Sequence, residues 1–170
     1  MARLSELGVD FDHWCFACGR RNASGLTLDF EVTRGRATAR YTGTREHQGY
    51  DDTLHGGIVT ALLDETMGWA IFQAGVWGVT ARITVTFRAP VPLADELIVT
   101  GEIGRESGRG ISTHGEIRLA RTGDLLAEAD AIFMPMPEEK RAELSKRYTN
   151  VEDAFARIRS AIETEELARR

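Results

Sequence analysis

The chain has 170 residues, 42% of them hydrophobic, enough for one domain with a real core plus an appendage. A formal net charge of −5 with no basic block argues against nucleic acid or an anionic membrane as partner. No apolar run is long enough to span a bilayer and the N-terminus lacks an apolar signal core, while Cys15 and Cys18 give no disulfide framework, so a soluble cytoplasmic protein is expected.

Residues 1 to about 25 carry turn signals at Gly19, Asn22, Ser24 and Gly25 and read as irregular. Two short alternating runs follow, LTLDFEV at 26–32 and RATARYT at 36–42, joined through Thr33, Arg34 and Gly35 as a hairpin. After a loop from Gly43 to Leu54, the proline-free stretch from Ile58 to about Ala74 reads as one helix. Ile58, Leu62, Glu65, Trp69 and Phe72 lie on one stripe of it, and Thr60, Ala61, Asp64 and Gly68 on another. Four strand-like runs start at 78, 95, 108 and 124, punctuated by Pro90 and Pro92, Ser107-Gly108 and Thr122-Gly123, and are expected to form an antiparallel meander. The fold class is therefore α+β, a curved antiparallel sheet wrapped around a central helix, over residues 1–136. Residues 137–170 form a separate helical tail, with Leu144, Tyr148, Val151, Phe155, Ile158 and Ile162 as its apolar stripe and Asn150 as a cap. That stripe is expected to pack on its own sheet or on a second copy.

The chemistry concentrates in HGGIVTALLDETMGWA. Gly56 and Gly57 sit at a helix start, where unpaired N–H groups and a partial positive charge polarise an approaching carbonyl oxygen, and where no Cβ obstructs it. Asp64, a carboxylate in an apolar helix, lies seven residues beyond Gly57. That is about two turns, or roughly 10 Å, so one carbonyl cannot touch both within one chain. Two helices packed antiparallel about a two-fold axis would bring each helix start to the other chain's Asp64, which predicts a homodimer with shared sites. Glu65 is the rival acid, on the stripe with Trp69. His55 offers either proton donation to a leaving group or, as favoured here, a hydrogen bond that fixes the glycine turn. His13, Cys15 and Cys18 are three soft ligands lacking a fourth, so a packed loop and no metal are expected.

These residues resemble the hot-dog-fold acyl-CoA thioesterase superfamily of the phenylacetate-pathway (PaaI-like) type, over roughly residues 13–136. The resemblance is carried by Cys15-x-x-Cys18-Gly19 with Asn22 and Gly25-Leu26, by HQGYDDTLHGGIVTALLDETMG, and by GVTARITVTFRAPVP. It implies hydrolysis of a thioester to a free acid and coenzyme A in a dimer or dimer of dimers. No cofactor is implied, coenzyme A being part of the substrate. It assigns the oxyanion amide to Gly57 and the base or nucleophile to Asp64 of the facing protomer, and maps a hydroxyl onto Thr80 and an upstream amide onto Gln48. Thr80 presents a conflict, because regular alternation groups it with Arg82, Thr84, Thr86 and Arg88 on the polar face of its strand. Gly56 and Trp69 are candidate substrate contacts, and Arg88, with Arg105 or Arg109 in the next turn, is a candidate for the coenzyme's phosphates. The rival functions are a hot-dog enoyl-CoA hydratase or dehydratase, and a non-catalytic acyl-CoA-binding sensor.

Overall fold

A computed structural model describes residues 2–107, 110–146 and 151–168. Seven strands form one antiparallel sheet: β1 Ala2–Arg3, β2 Phe30–Thr33, β3 Arg36–Tyr41, β4 Gly78–Phe87, β5 Leu97–Ser107, β6 Gly110–Leu119 and β7 Leu125–Pro135. Their order across the sheet is β1-β2-β3-β5-β6-β7-β4. The expected four-strand meander is therefore corrected. The strands β5, β6 and β7 do run as neighbours, but β4 pairs with β7 and β5 pairs with β3. Pro90 and Pro92 lack ladder donors, and the segment after β4 bonds elsewhere, Leu54 N–H donating to Val91 O at 2.9 Å. That segment returns the chain to the far side of the sheet.

Helix α1, Gly56–Phe72, connects β3 to β4 and lies across the concave face. It starts two residues earlier and ends two earlier than periodicity suggests. His55 is the N-cap, its imidazole Nδ1 accepting from Gly57 N–H at 3.0 Å. Val59, Leu62, Leu63, Met67, Ala70 and Ile71 are fully buried against the sheet. The close fit needs Gly101 in β5, where an added Cβ would come within 2.7 Å of the Met67 backbone nitrogen and Cα. Burial on this scale, worth about 1.5–3 kcal/mol per large side chain, fixes the helix on the sheet and with it the two acids that interrupt its apolar surface.

The expected strand at 26–32 begins only at Phe30. Leu26 and Leu28 are buried, as their alternation indicates, but their N–H groups bond to Phe16 O and Ala17 O rather than to a sheet neighbour. Thr27, at φ +49, interrupts the extended geometry. Beyond β7 come α2, Glu138–Ser145, and α3, Val151–Ala168. Phe155, Ile158 and Ile162 of the tail stripe are buried, and α3 rests on β1 and β2 of its own chain, with Arg34 and Glu166 paired at 2.7 Å. Tyr148 and Asn150 lie outside the described residues.

Candidate active site

An open cavity of about 330 Å³ lies between α1 and the start of β4. Asp64, Glu65 and Gly68 of α1 line it together with Trp69, Phe72, Trp77, Thr80 and Phe133. Asp64 and Thr80 meet there: Thr80 Oγ1 donates to Asp64 Oδ1 at 2.6 Å. The polar-face placement of Thr80 is thus corrected, and the cause is local. Thr80 pairs with Phe133 while Arg82 pairs with Ile132, so Ala81 is an extra residue, a β-bulge. Directly paired residues share a face. The bulge puts Thr80 on the face of Phe133 and Ala131, which looks toward α1, and leaves Arg82 and Thr84 on the other.

The pair has a definite chemical capacity. One carboxylate oxygen of Asp64 is occupied by the hydroxyl proton, which fixes the group's orientation and leaves the second oxygen to accept a proton from water. The Thr80 oxygen retains lone pairs that can accept from the same water. Glu65, one residue on, points into the same cavity from a more enclosed position. Trp69 Nε1–H donates to its Oε1 at 3.1 Å, and Cys15 Sγ lies 3.8 Å from its Oε2. Burial, followed by the charge of Cys15, pushes the Glu65 carboxyl up to about 7. The Cys15 thiol is pulled down to about 5, mainly by a hydrogen bond from Cys18, while Cys18 is pushed up. The groups that converge are Cys15, Cys18 and Glu65, not the His13, Cys15 and Cys18 set weighed from sequence, and His13 Nδ1 accepts from Cys15 N–H at 3.3 Å.

The remaining candidates lie at the other end of the helix or outside the cavity. Gly56 and Gly57 are in the first turn of α1, about 10 Å along the axis from Asp64. The Gly57 amide is capped by His55, so Nδ1 of that ring is the acceptor nitrogen and a neutral ring carries its proton on Nε2. Gln48 is spent on its own loop, accepting from Asp52 N–H at 3.3 Å and lying 3.5 Å from Asp51. Arg88 donates through Nε at 2.9 Å, and through a terminal N–H, to Glu128 Oε1. Arg109 lies outside the described residues. Sequence reading missed His47, which is buried and bonded through Nδ1 to Tyr41 Oη at 2.6 Å, and whose carbonyl accepts from His55 N–H at 3.0 Å. It anchors the loop that presents His55, and a histidine eight residues before a His-Gly-Gly turn was the available signal.

Comparison with known proteins follows the same outline. Residues 51–125 match the model of the thioesterase superfamily. Acyl-coenzyme A thioesterase THEM4 of Mus musculus is 28% identical over 105 residues, covering 62% of this chain and 45% of that protein. The chain spans about half the length of the curated relatives it matches. A crystallised thioesterase superfamily protein superposes with a TM-score of 0.67 at 30% identity, covering 71% of this chain and 62% of the other. The PaaI protein of the E. coli phenylacetic acid degradation operon superposes with a TM-score of 0.61 at 20% identity, covering 66% of this chain and 81% of that one, a likeness of fold.

Proposed function

We propose that this chain, a hot-dog-fold member of the thioesterase superfamily, hydrolyses acyl-CoA thioesters to a free acid and coenzyme A. The observation that carries the reading is the Asp64–Thr80 pair in a cavity lined by aromatic side chains. In this reading the acyl group lies against Trp69, Phe72 and Trp77, which puts the thioester carbonyl near Asp64. Asp64 takes a proton from water as the water oxygen bonds to the carbonyl carbon. The C–S bond then breaks and the proton passes to the departing thiolate.

The oxyanion is held by the Gly57 amide of a second copy, because the chain's own Gly57 is about two helical turns from its Asp64. The open edge of β4 supports such pairing. It is a ten-residue strand without a neighbour on one side among the described residues, and it carries exposed Val79 and Phe87. His55 must swing off the Gly57 amide for the carbonyl to bind, at about 1 kcal/mol for a lost N-cap. Its exposure leaves room for that rotation, so its role is to hold and release the turn. No described helix is long and apolar enough to cross a membrane.

The test is free-thiol release across short, long-chain and aryl acyl-CoAs, with enoyl-CoA hydration followed in parallel. Thiol release with at least one acyl class is expected. Hydration without thiol release would replace the reading with the lyase one, and tight acyl-CoA binding without turnover would replace it with the sensor one.

A further inference from the structure

The cluster behind the cavity is not used by hydrolysis. Cys15 and Cys18 sit in a tight loop closed by Gly19, whose N–H donates to Cys15 O at 3.0 Å. An added Cβ at Gly19 would come within 2.3 Å of His13 O and 2.6 Å of Cys15 N, so only glycine permits this wrap. Across from the loop, Glu65 of α1 completes a set in which two sulfurs and one carboxylate oxygen all lie within 4.8 Å of one another.

We propose that Cys15, Cys18 and Glu65 bind a thiophilic divalent cation of the zinc type, which ties the N-terminal loop to α1 beside Asp64. The geometry is close to what such an ion requires. Zinc at about 2.3 Å from sulfur and about 2.0 Å from oxygen, with tetrahedral angles, sets sulfur–oxygen and sulfur–sulfur edges of about 3.5–3.8 Å. Cys15 Sγ and Glu65 Oε2 already stand 3.8 Å apart. The charge pattern agrees: among the described residues no lysine or arginine is paired with Glu65, and Asp64 is its neighbour in sequence. A dication supplies the missing positive charge. The fourth position is left to water, and Trp69 Nε1–H on Glu65 Oε1 leaves Oε2, the oxygen facing Cys15, to ligate. The site stands independently of the thioesterase reading, since its readouts do not involve turnover.

The test is anaerobic titration of the reduced, chelator-stripped full chain with Co²⁺. Sulfur-to-cobalt charge-transfer absorption is expected to saturate at one ion per chain and to disappear on adding Zn²⁺. Cys15→Ser and Cys18→Ser should each abolish that absorption, and Glu65→Gln should weaken binding roughly tenfold or more. The exposed group His114, Glu116 and Glu128 offers only nitrogen and oxygen, so an ion held there gives no thiolate band. If wild type, folded by circular dichroism, shows no thiolate band, the proposal is overturned without recourse to the variants. A Cys15–Cys18 disulfide in protein purified without oxygen, found by thiol counting after denaturation, would overturn it too.

Discussion

Replacing Thr80 by Val keeps the shape of the side chain and removes one proton donor, the one 2.6 Å from Asp64 Oδ1. A hydrogen bond to a charged group contributes about 1.5–3 kcal/mol, and the exposure of Thr80 sets this one at the lower end. Without it the carboxylate is free to rotate and the proton-accepting oxygen no longer has a fixed direction. A loss of about 1.4 kcal/mol in the transition state is a tenfold fall in kcat. The proposed acyl contacts on Trp69, Phe72 and Trp77 are untouched, so KM should stay within about twofold. The assay is steady-state thiol release for wild type, Thr80→Val and Thr80→Ser, with thermal unfolding as control. Thr80→Ser, which restores the donor, should recover most of the rate. A Thr80→Val enzyme with wild-type kcat would show that the hydroxyl does not position Asp64.

Three further outcomes are expected elsewhere in the molecule. Gly101→Ala drives a methyl group into the backbone of α1 and should cost about 1–3 kcal/mol, read as a lower urea midpoint at unchanged slope; an unchanged midpoint would contradict the helix–sheet contact. Phe155→Ala removes a ring 4.4 Å from Phe72 and 6.5 Å from Trp77 by centroids. It should lower stability by about 3 kcal/mol and shift acyl preference toward bulkier groups, whereas unchanged selectivity would separate the tail from the cavity. The hydrogen bond that the His114 ring donates to Asp130 raises His114 above the usual imidazole value of about 6.5, with the charges of Asp130, Glu116 and Glu128 adding to it. The resulting small stabilisation is complete below that value and fades as pH rises through the raised one. An NMR titration should show a high midpoint in wild type that falls in Asp130→Asn.

The helix and the long strands were legible as elements because their apolar patterns reflect burial, but the buried face of the helix was not: of the expected stripe only Leu62 is fully buried, while Ile58, Trp69 and Phe72 are half-buried and Leu63, Met67, Ala70 and Ile71 meet the sheet. Strand order was not legible. Whether β4 joins β5 or β7 depends on where the Pro90–Pro92 segment crosses, and a local pattern carries no information about that. Thr80 shows the limit most sharply. Alternation assigns faces only while the register is regular, and one extra residue at Ala81 reverses the answer. The resemblance to thioesterases named Thr80 for a role that parity alone denied it. Glu65 was undervalued for a related reason, since its place on the stripe with Trp69 says nothing about Cys15, which approaches it from fifty residues upstream.

The claim on which the rest depends is that Asp64 acts on the thioester and does not merely bind it. Single-turnover hydrolysis and equilibrium binding of the best acyl-CoA, measured on wild type and Asp64→Asn together, test it directly. The variant should bind within a few-fold of wild type and hydrolyse about a hundredfold or more slowly. Hydrolysis at the wild-type rate would contradict it and move the chemistry away from this cavity.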